Sequence, residues 1–248
     1  MALQVQIWIK SIIENLFADN SFASKSVDHS EFVNEKTVHV PNAGAAPSVV
    51  KNRTTFPAAV TTREDVDLSY DIDEFSVDPI RIPNADKVEL SYNKRESIIR
   101  GSRNKLADDI HASLIYSWIP SGVNTIFTEG AAVTAHIASA TGNRKSMTKA
   151  SVEAAQLLFD SQNIPQTGRY MLLDAYMYNQ LKNSMTNNEV VAFLAGADPE
   201  KGVIGEYAGF RFYKRGQVAK TTKAGVLKEW SAAADATDSA AGIAWQED

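Results

Sequence analysis

Between Glu64 and Asp78 the chain carries seven carboxylates, Glu64, Asp65, Asp67, Asp71, Asp73, Glu74 and Asp78, and neither Lys nor Arg. From Lys87 to Lys105 the sign reverses: Lys87, Lys94, Arg95, Arg100, Arg103 and Lys105 stand against only Glu89 and Glu96. Within the acidic stretch, Val66-Asp67-Leu68-Ser69-Tyr70-Asp71-Ile72-Asp73 alternates apolar and polar, the pattern of a half-buried strand. The basic stretch opens a helical periodicity. An acidic ribbon followed by a basic helix cannot bury much core alone. It suits a contact between copies, in which opposite patches steer and register the encounter. The expectation is that the seven carboxylates meet Lys94, Arg95, Arg100 and Arg103 of a neighbouring copy.

The whole chain is long enough for a real core. It has 248 residues, 44% hydrophobic and 22% charged, ordinary globular proportions. Its 30 acids and 25 bases give a net charge of −5, whereas a protein that grips nucleic acid by neutralising phosphates carries a basic excess or a basic face. Cysteine is absent, which excludes disulfides and thiolate metal sites. At the N-terminus, Ile9, Ile12, Ile13, Leu16 and Phe17 have the spacing of an amphipathic helix. Lys10 interrupts the apolar run and no basic region precedes it, the reverse of a signal peptide, so a soluble chain is expected.

Residues 18–62 are polar and turn-rich, with a short strand at Thr37-Val38-His39-Val40-Pro41, and they read as an arm lying on other subunits. Residues 56–93 read as a long extended ribbon or hairpin, turning at Pro83-Asn84-Ala85-Asp86. A helix of about 24 residues follows and ends at Pro120. Its expected core stripe is Ile99, Leu106, Ile110, Leu114 and Trp118, helped by Ile98 and Ile115, with Arg103, Asn104 and Asp108 facing away. Further on, residues 148–161 form a helix with Val152, Ala155, Leu158 and Phe159 inward. Tyr170–Leu173 is a buried strand, Ala175–Lys182 a helix and Gly209–Tyr213 a strand, while residues 231–242 form a small-residue loop. This mixed order gives an α+β fold.

No catalytic constellation emerges. The histidines, His29, His39, His111 and His136, show no metal-ligand spacing. Ser-x-x-Lys occurs at Ser91/Lys94, Ser102/Lys105 and Ser146/Lys149 without the companion motifs of a serine acyl-transferase. No phosphate loop, dinucleotide fingerprint or nucleophile elbow is present. No catalytic, cofactor or metal residue is assigned, and the carboxylate run reads as a solvated strand. A hydrolase on an α+β scaffold therefore lacks its chemistry.

The order of segments resembles the tailed-phage major capsid proteins of the Hong Kong 97 type. The resemblance rests on the acidic ribbon, the helix opened by Leu90-Ser91-Tyr92-Asn93-Lys94-Arg95-Glu96-Ser97-Ile98, and the run Asn163-Ile164-Pro165-Gln166-Thr167-Gly168-Arg169-Tyr170-Met171-Leu172-Leu173 with Tyr176, Tyr178 and Leu181. Gly205-Glu206-Tyr207-Ala208-Gly209-Phe210-Arg211-Phe212-Tyr213 and the late Gly242-Ile243-Ala244-Trp245 complete it. It implies an N-terminal arm at 1–55, an extended β-hairpin loop at 56–97, the spine helix of a peripheral domain at 98–122, and an axial domain at 123–248 that begins a return to the peripheral domain. It further implies a non-enzymatic shell subunit, assembling as pentamers and hexamers around double-stranded DNA in the host bacterial cytoplasm and ending in the virion. Scaffold, portal and decoration proteins are its implied partners, with neither cofactor nor membrane. An encapsulin-like compartment shell is the alternative with the same fold.

Overall fold

A computed structural model describes residues 18–34, 36–58, 60, 62–81, 94–119 and 124–247. The expected N-terminal amphipathic helix, the turn at 83–86 and the return of the ribbon lie outside these residues. The chain divides into two compact units: Val27–Phe75, and the remainder, Met1–Ser26 with Ser76–Asp248. The smaller unit runs across position 55, where the sequence reading divides arm from loop.

In Val27–Phe75, a three-stranded antiparallel sheet has the order β1 (Val33–Asn34), β2 (Thr37–Asn42), β3 (Val66–Asp71). Val38 lies opposite Tyr70, Val40 opposite Leu68 and Thr37 opposite Asp71. The acidic strand thus pairs with the strand that the sequence places at Thr37–Pro41. Period-two alternation fixes the faces of a strand but not its partner. The alternation is real, yet its consequence differs from expectation. Every residue of β3 is exposed, Val66, Leu68 and Tyr70 at 65, 57 and 46%. Val38 on β2 is buried; over β3, His29 meets the ring and hydroxyl of Tyr70, yet the strand stays exposed along its length.

The larger unit is organised by a four-stranded mixed sheet of order β11–β6–β8–β7. Its strands are β6 (Arg169–Asp174), β7 (Gly205–Tyr207), β8 (Phe210–Arg215) and β11 (Ile243–Gln246). β6 and β8 run parallel, and β11 and β7 are antiparallel edges. All of β6 is buried because both faces of the sheet are covered, the condition under which a strand reads as a continuous apolar run. On one face, Met171, Leu173, Phe210 and Phe212 pack with Val152, Ala155, Leu181, Met185 and Phe193. On the other, Tyr170, Leu172, Tyr213 and Ile243 pack with Phe22, Ile115 and Val218.

Local sequence sets the ends of the helices. α1 spans Lys94–Trp118, with Pro120 shortly beyond. α2 (Lys149–Ser161) opens with a capping box between Thr148 and Ser151. After it the chain turns through Asn163, whose φ of 55° is the left-handed conformation that Asn tolerates. α3 (Ala175–Ser184) is capped by the Asp174 carboxylate, which accepts from the Met177 amide at 2.6 Å. α4 (Asn187–Ala195) is absent from the sequence reading, although its capping box, Thr186 with Glu189, is legible before Val190, Val191, Phe193 and Leu194. Two small pairs complete the unit: β4 (Ala132–Thr134) with β5 (Asn143–Lys145), and β9 (Ala219–Thr221) with β10 (Ser239–Ala241). β10 corrects the reading of 231–242 as loop throughout, since Ser239 pairs opposite Thr221.

The inward face of α1 is corrected in part: Ile115 and Trp118 pack as expected, but the stripe through Ile99 and Ile110 does not. Ile99 and Ile110 are 48 and 39% exposed, while Ile115 is fully buried. The face that packs holds Asp108, His111, Ile115 and Trp118, turned roughly a third of a turn from the expected stripe at 100° per residue. Asp108 does not look outward with Arg103 and Asn104; it pairs with Arg215, whose side chain is only 6% exposed. Adjacent apolar pairs, Ile98-Ile99 and Leu114-Ile115, give the helix two apolar stripes. The choice between them falls to distant residues, Phe22, Tyr213 and Arg215.

Candidate assembly surface

The polar clusters inside the larger unit hold its parts together. His136 Nε2 lies 2.7 Å from Asp174, the buried cap of α3, and its ring stacks on Tyr176. Lys228 Nζ reaches both Asp235 and fully buried Asp238 at 2.7 Å, and Arg144 donates to the Asp238 carbonyl at 2.8 Å. Lys149 of the third Ser-x-x-Lys lies 2.8 Å from Glu189. That bond raises the Lys149 pKa and, with the Thr186 bonds, lowers that of Glu189 to about 2. A lysine held as a cation is a poor general base. Lys105 of the second pairs with Asp109 at 2.6 Å, and Ser91 of the first lies outside the described residues. Among the described residues no group of three or more His, Asp or Glu is placed to hold a metal ion, and no helix is long and apolar enough to cross a membrane.

The surface with unusual chemistry is the ribbon. Asp67 sits 2.7 Å from His39 Nδ1 on the facing strand, and Asp71 accepts from the Thr37 hydroxyl at 2.9 Å. Asp65 accepts from the Gly44 amide at 2.8 Å and from Arg63. Gly44 must be glycine there, because a Cβ would lie 2.0 Å from the Glu64 carbonyl oxygen. Glu74 is 3.8 Å from Lys36, both side chains about 85% exposed. Glu64, Asp73 and Asp78 are exposed. The ribbon therefore has two unlike faces. Val66, Leu68 and Tyr70 alternate with Asp67, Ser69 and Asp71, all open to solvent in the single chain.

On α1, Arg95 and Arg103 are exposed, and Arg100 pairs with Glu96 one turn away at 3.4 Å. Lys94 is the first helical residue, and its side chain lies outside the described set. Arg95, Ile99, Arg103, Leu106 and Ile110 share one side of the helix by their spacing, so exposed Ile99 and Ile110, with half-buried Leu106 between them, form an apolar strip flanked by guanidinium groups. The carboxylates, Asp78 excepted, belong to one unit and the basic residues to the other. Sequence reasoning missed this exposed strip by assigning it to the core.

No protein-family model matches the chain, and no curated protein does. Solved structures do. The capsid of cyanophage P-SCSP1u superposes with a TM-score of 0.64 at 17% identity, over 99% of this chain and 78% of that one. A chain of Mycobacterium phage Che8 gives 0.58 at 20% identity, over 86% and 75%. The capsid of Ralstonia phage GP4 gives 0.58 at 12%, over 99% and 80%. The chain has the α+β fold of these phage capsid structures.

Proposed function

We propose that this chain is the major capsid protein of a tailed bacteriophage, self-assembling through pentamers and hexamers into the icosahedral shell around the double-stranded DNA genome. The observation that carries the reading is the likeness in fold to phage capsid structures across 86–99% of the chain. The exposed ribbon supports it, since apolar residues of a three-stranded sheet that are left open to solvent call for a partner. In this reading residues 1–55 are the arm, 56–97 the extended loop, 98–122 the spine helix of the peripheral domain, and the residues from 123 onward the axial domain. The carboxylates from Glu64 to Asp78 dock on Lys94, Arg95, Arg100 and Arg103 of a neighbouring subunit. The net charge of −5 agrees with a wall that lets DNA slide rather than pinning it by phosphate contacts.

The test is electron microscopy of the expressed chain, with nuclease-protected DNA measured in particles from infected cells. Closed shells containing DNA are expected. A monomer under every assembly condition overturns the proposal, and shells holding protein cargo without DNA move it to a compartment.

A further inference from the structure

One short segment is attached to the larger unit in an unusual way. Asn20 precedes a single 3-10 turn, Ser21–Lys25, whose backbone bonds are internal: Ala23 N–H to Asn20 and Ser26 N–H to Ala23. Ser21 is further tied to Asp19, and the hydroxyls of Ser24 and Ser26 bond to Ser21 and Ala23. The turn therefore adds no strand to the sheet. It is held through side chains. Phe22, 1% exposed, enters a socket of rings and meets Trp118, His111 and Trp245 edge-on at 5.9, 6.1 and 6.5 Å. The Trp245 indole N–H donates to the Lys25 carbonyl at 3.0 Å. Lys25 Nζ lies 3.8 Å from Glu247 and over the Tyr170 ring. Gly202 makes room at the other end, where a Cβ would lie 2.1 Å from Ser21 Oγ.

We infer that Asp19–Ser26 is a detachable latch: an aromatic plug with a carbonyl and a cation for handles, docked in a socket that the sheet and α1 form without it. β11, β6 and β8 pair with one another and not with the latch, so leaving the socket breaks no ladder. Elements held by few buried contacts open locally at lower free energy than the body they rest on. The position of the latch gives opening a consequence. The smaller unit begins at Val27 and ends at Phe75, so the latch fixes one of its two covalent tethers. Release frees these eight residues, roughly 26–29 Å of chain when extended, on that side of the unit. Resting on the reading of Val27–Phe75 as the element that contacts other copies, the latch sets whether the N-terminal tether of that element is held or free.

Hydrogen exchange on the unassembled full-length chain tests this without reference to shells. In the wild type, the amides of residues 20–26 are expected to exchange at least tenfold faster than those of β6 and β8. Phe22→Ala is expected to raise exchange in 20–26 a further tenfold or more and leave β6 and β8 protected. If Phe22→Ala does not fold, Trp245→Phe decides, since it keeps a ring and deletes the donor to Lys25. Faster exchange confined to 20–26 supports the latch. Rates in 20–26 that match or track those of β6 and β8 in the wild type and the folded variant overturn it.

Discussion

Arg169 shows what single residues do in this fold. It opens β6, yet its side chain is only 1% exposed. Its Nε donates to the Pro165 carbonyl at 2.8 Å and a terminal nitrogen to the Ile164 carbonyl at 2.6 Å. The same group pairs with Asp160 at 2.8 Å and lies over the Phe159 ring. One guanidinium thus closes the connection from α2 to the sheet, satisfying carbonyls that a chain turning between two elements leaves without partners. Arg169→Ala is expected to destabilise the subunit by about 2–4 kcal/mol, because it deletes two charge-assisted hydrogen bonds and the packing of a buried side chain. Arg169→Lys recovers less than half of that, since an ammonium cannot present a planar fork to two carbonyls and a carboxylate at once. Urea unfolding midpoints of the two variants measure both numbers. The sequence pattern does not show this role, because rules of burial place arginine at the surface. Only the resemblance across Asn163–Leu173 marked the segment.

At the scale of elements, what was legible depended on whether local or distant chemistry decided it. α2, β6, α3 and β8 carry their signals within themselves, as caps, apolar runs and turn residues, and they lie within a few residues of expectation. The face of α1 is decided elsewhere. Ile115→Ala is expected to cost about 2–5 kcal/mol as a buried truncation. Ile110→Ala, at 39% exposure, costs the unassembled subunit less than about 1 kcal/mol, as surface substitutions do. Thermal unfolding of the two variants separates the stripes, and equal losses would restore the original assignment. The capping box of α4 gives a pH signature. Glu189 is held at about 2 against an ordinary 4.5, first by its bond to Lys149 and then by Thr186. A depressed carboxyl contributes stability that is fully present above the unfolded value and is lost as pH falls toward the folded one. Glu189→Gln keeps the box but loses the ion pair. Its melting temperature is therefore expected to lie below wild type at pH 7, with the gap closing between pH 4.5 and 2. A gap that persists at pH 2 would assign the effect to packing.

At the scale of the whole molecule, the proposed shell gives the reversal of charge between Glu64–Asp78 and Lys87–Lys105 a role as a contact between subunits. The candidate surface was legible as charge, but its exposed apolar strip was not, because a pattern cannot distinguish a stripe meant for the core from one meant for a neighbour. Asp65, Asp67, Asp71 and Glu74 already have partners on the ribbon, so reversing them would disturb the ribbon itself. Glu64, Asp73 and Asp78 are the exposed remainder and the cleaner probes. Each exposed pair is worth about 0–1 kcal/mol, so one substitution is expected to do little, while a shell repeats the contact at every subunit. The triple variant Glu64→Lys, Asp73→Lys, Asp78→Lys is expected to stay folded and to stop assembling at physiological salt, where charges are screened beyond about 8 Å. Adding Arg95→Glu and Arg103→Glu restores opposite signs across the contact and is expected to recover assembly. Light scattering across a salt series reads all three proteins. If the triple variant assembles like wild type, these carboxylates do not carry the contact; if it fails and the second pair of changes gives no rescue, their partners lie elsewhere than on α1.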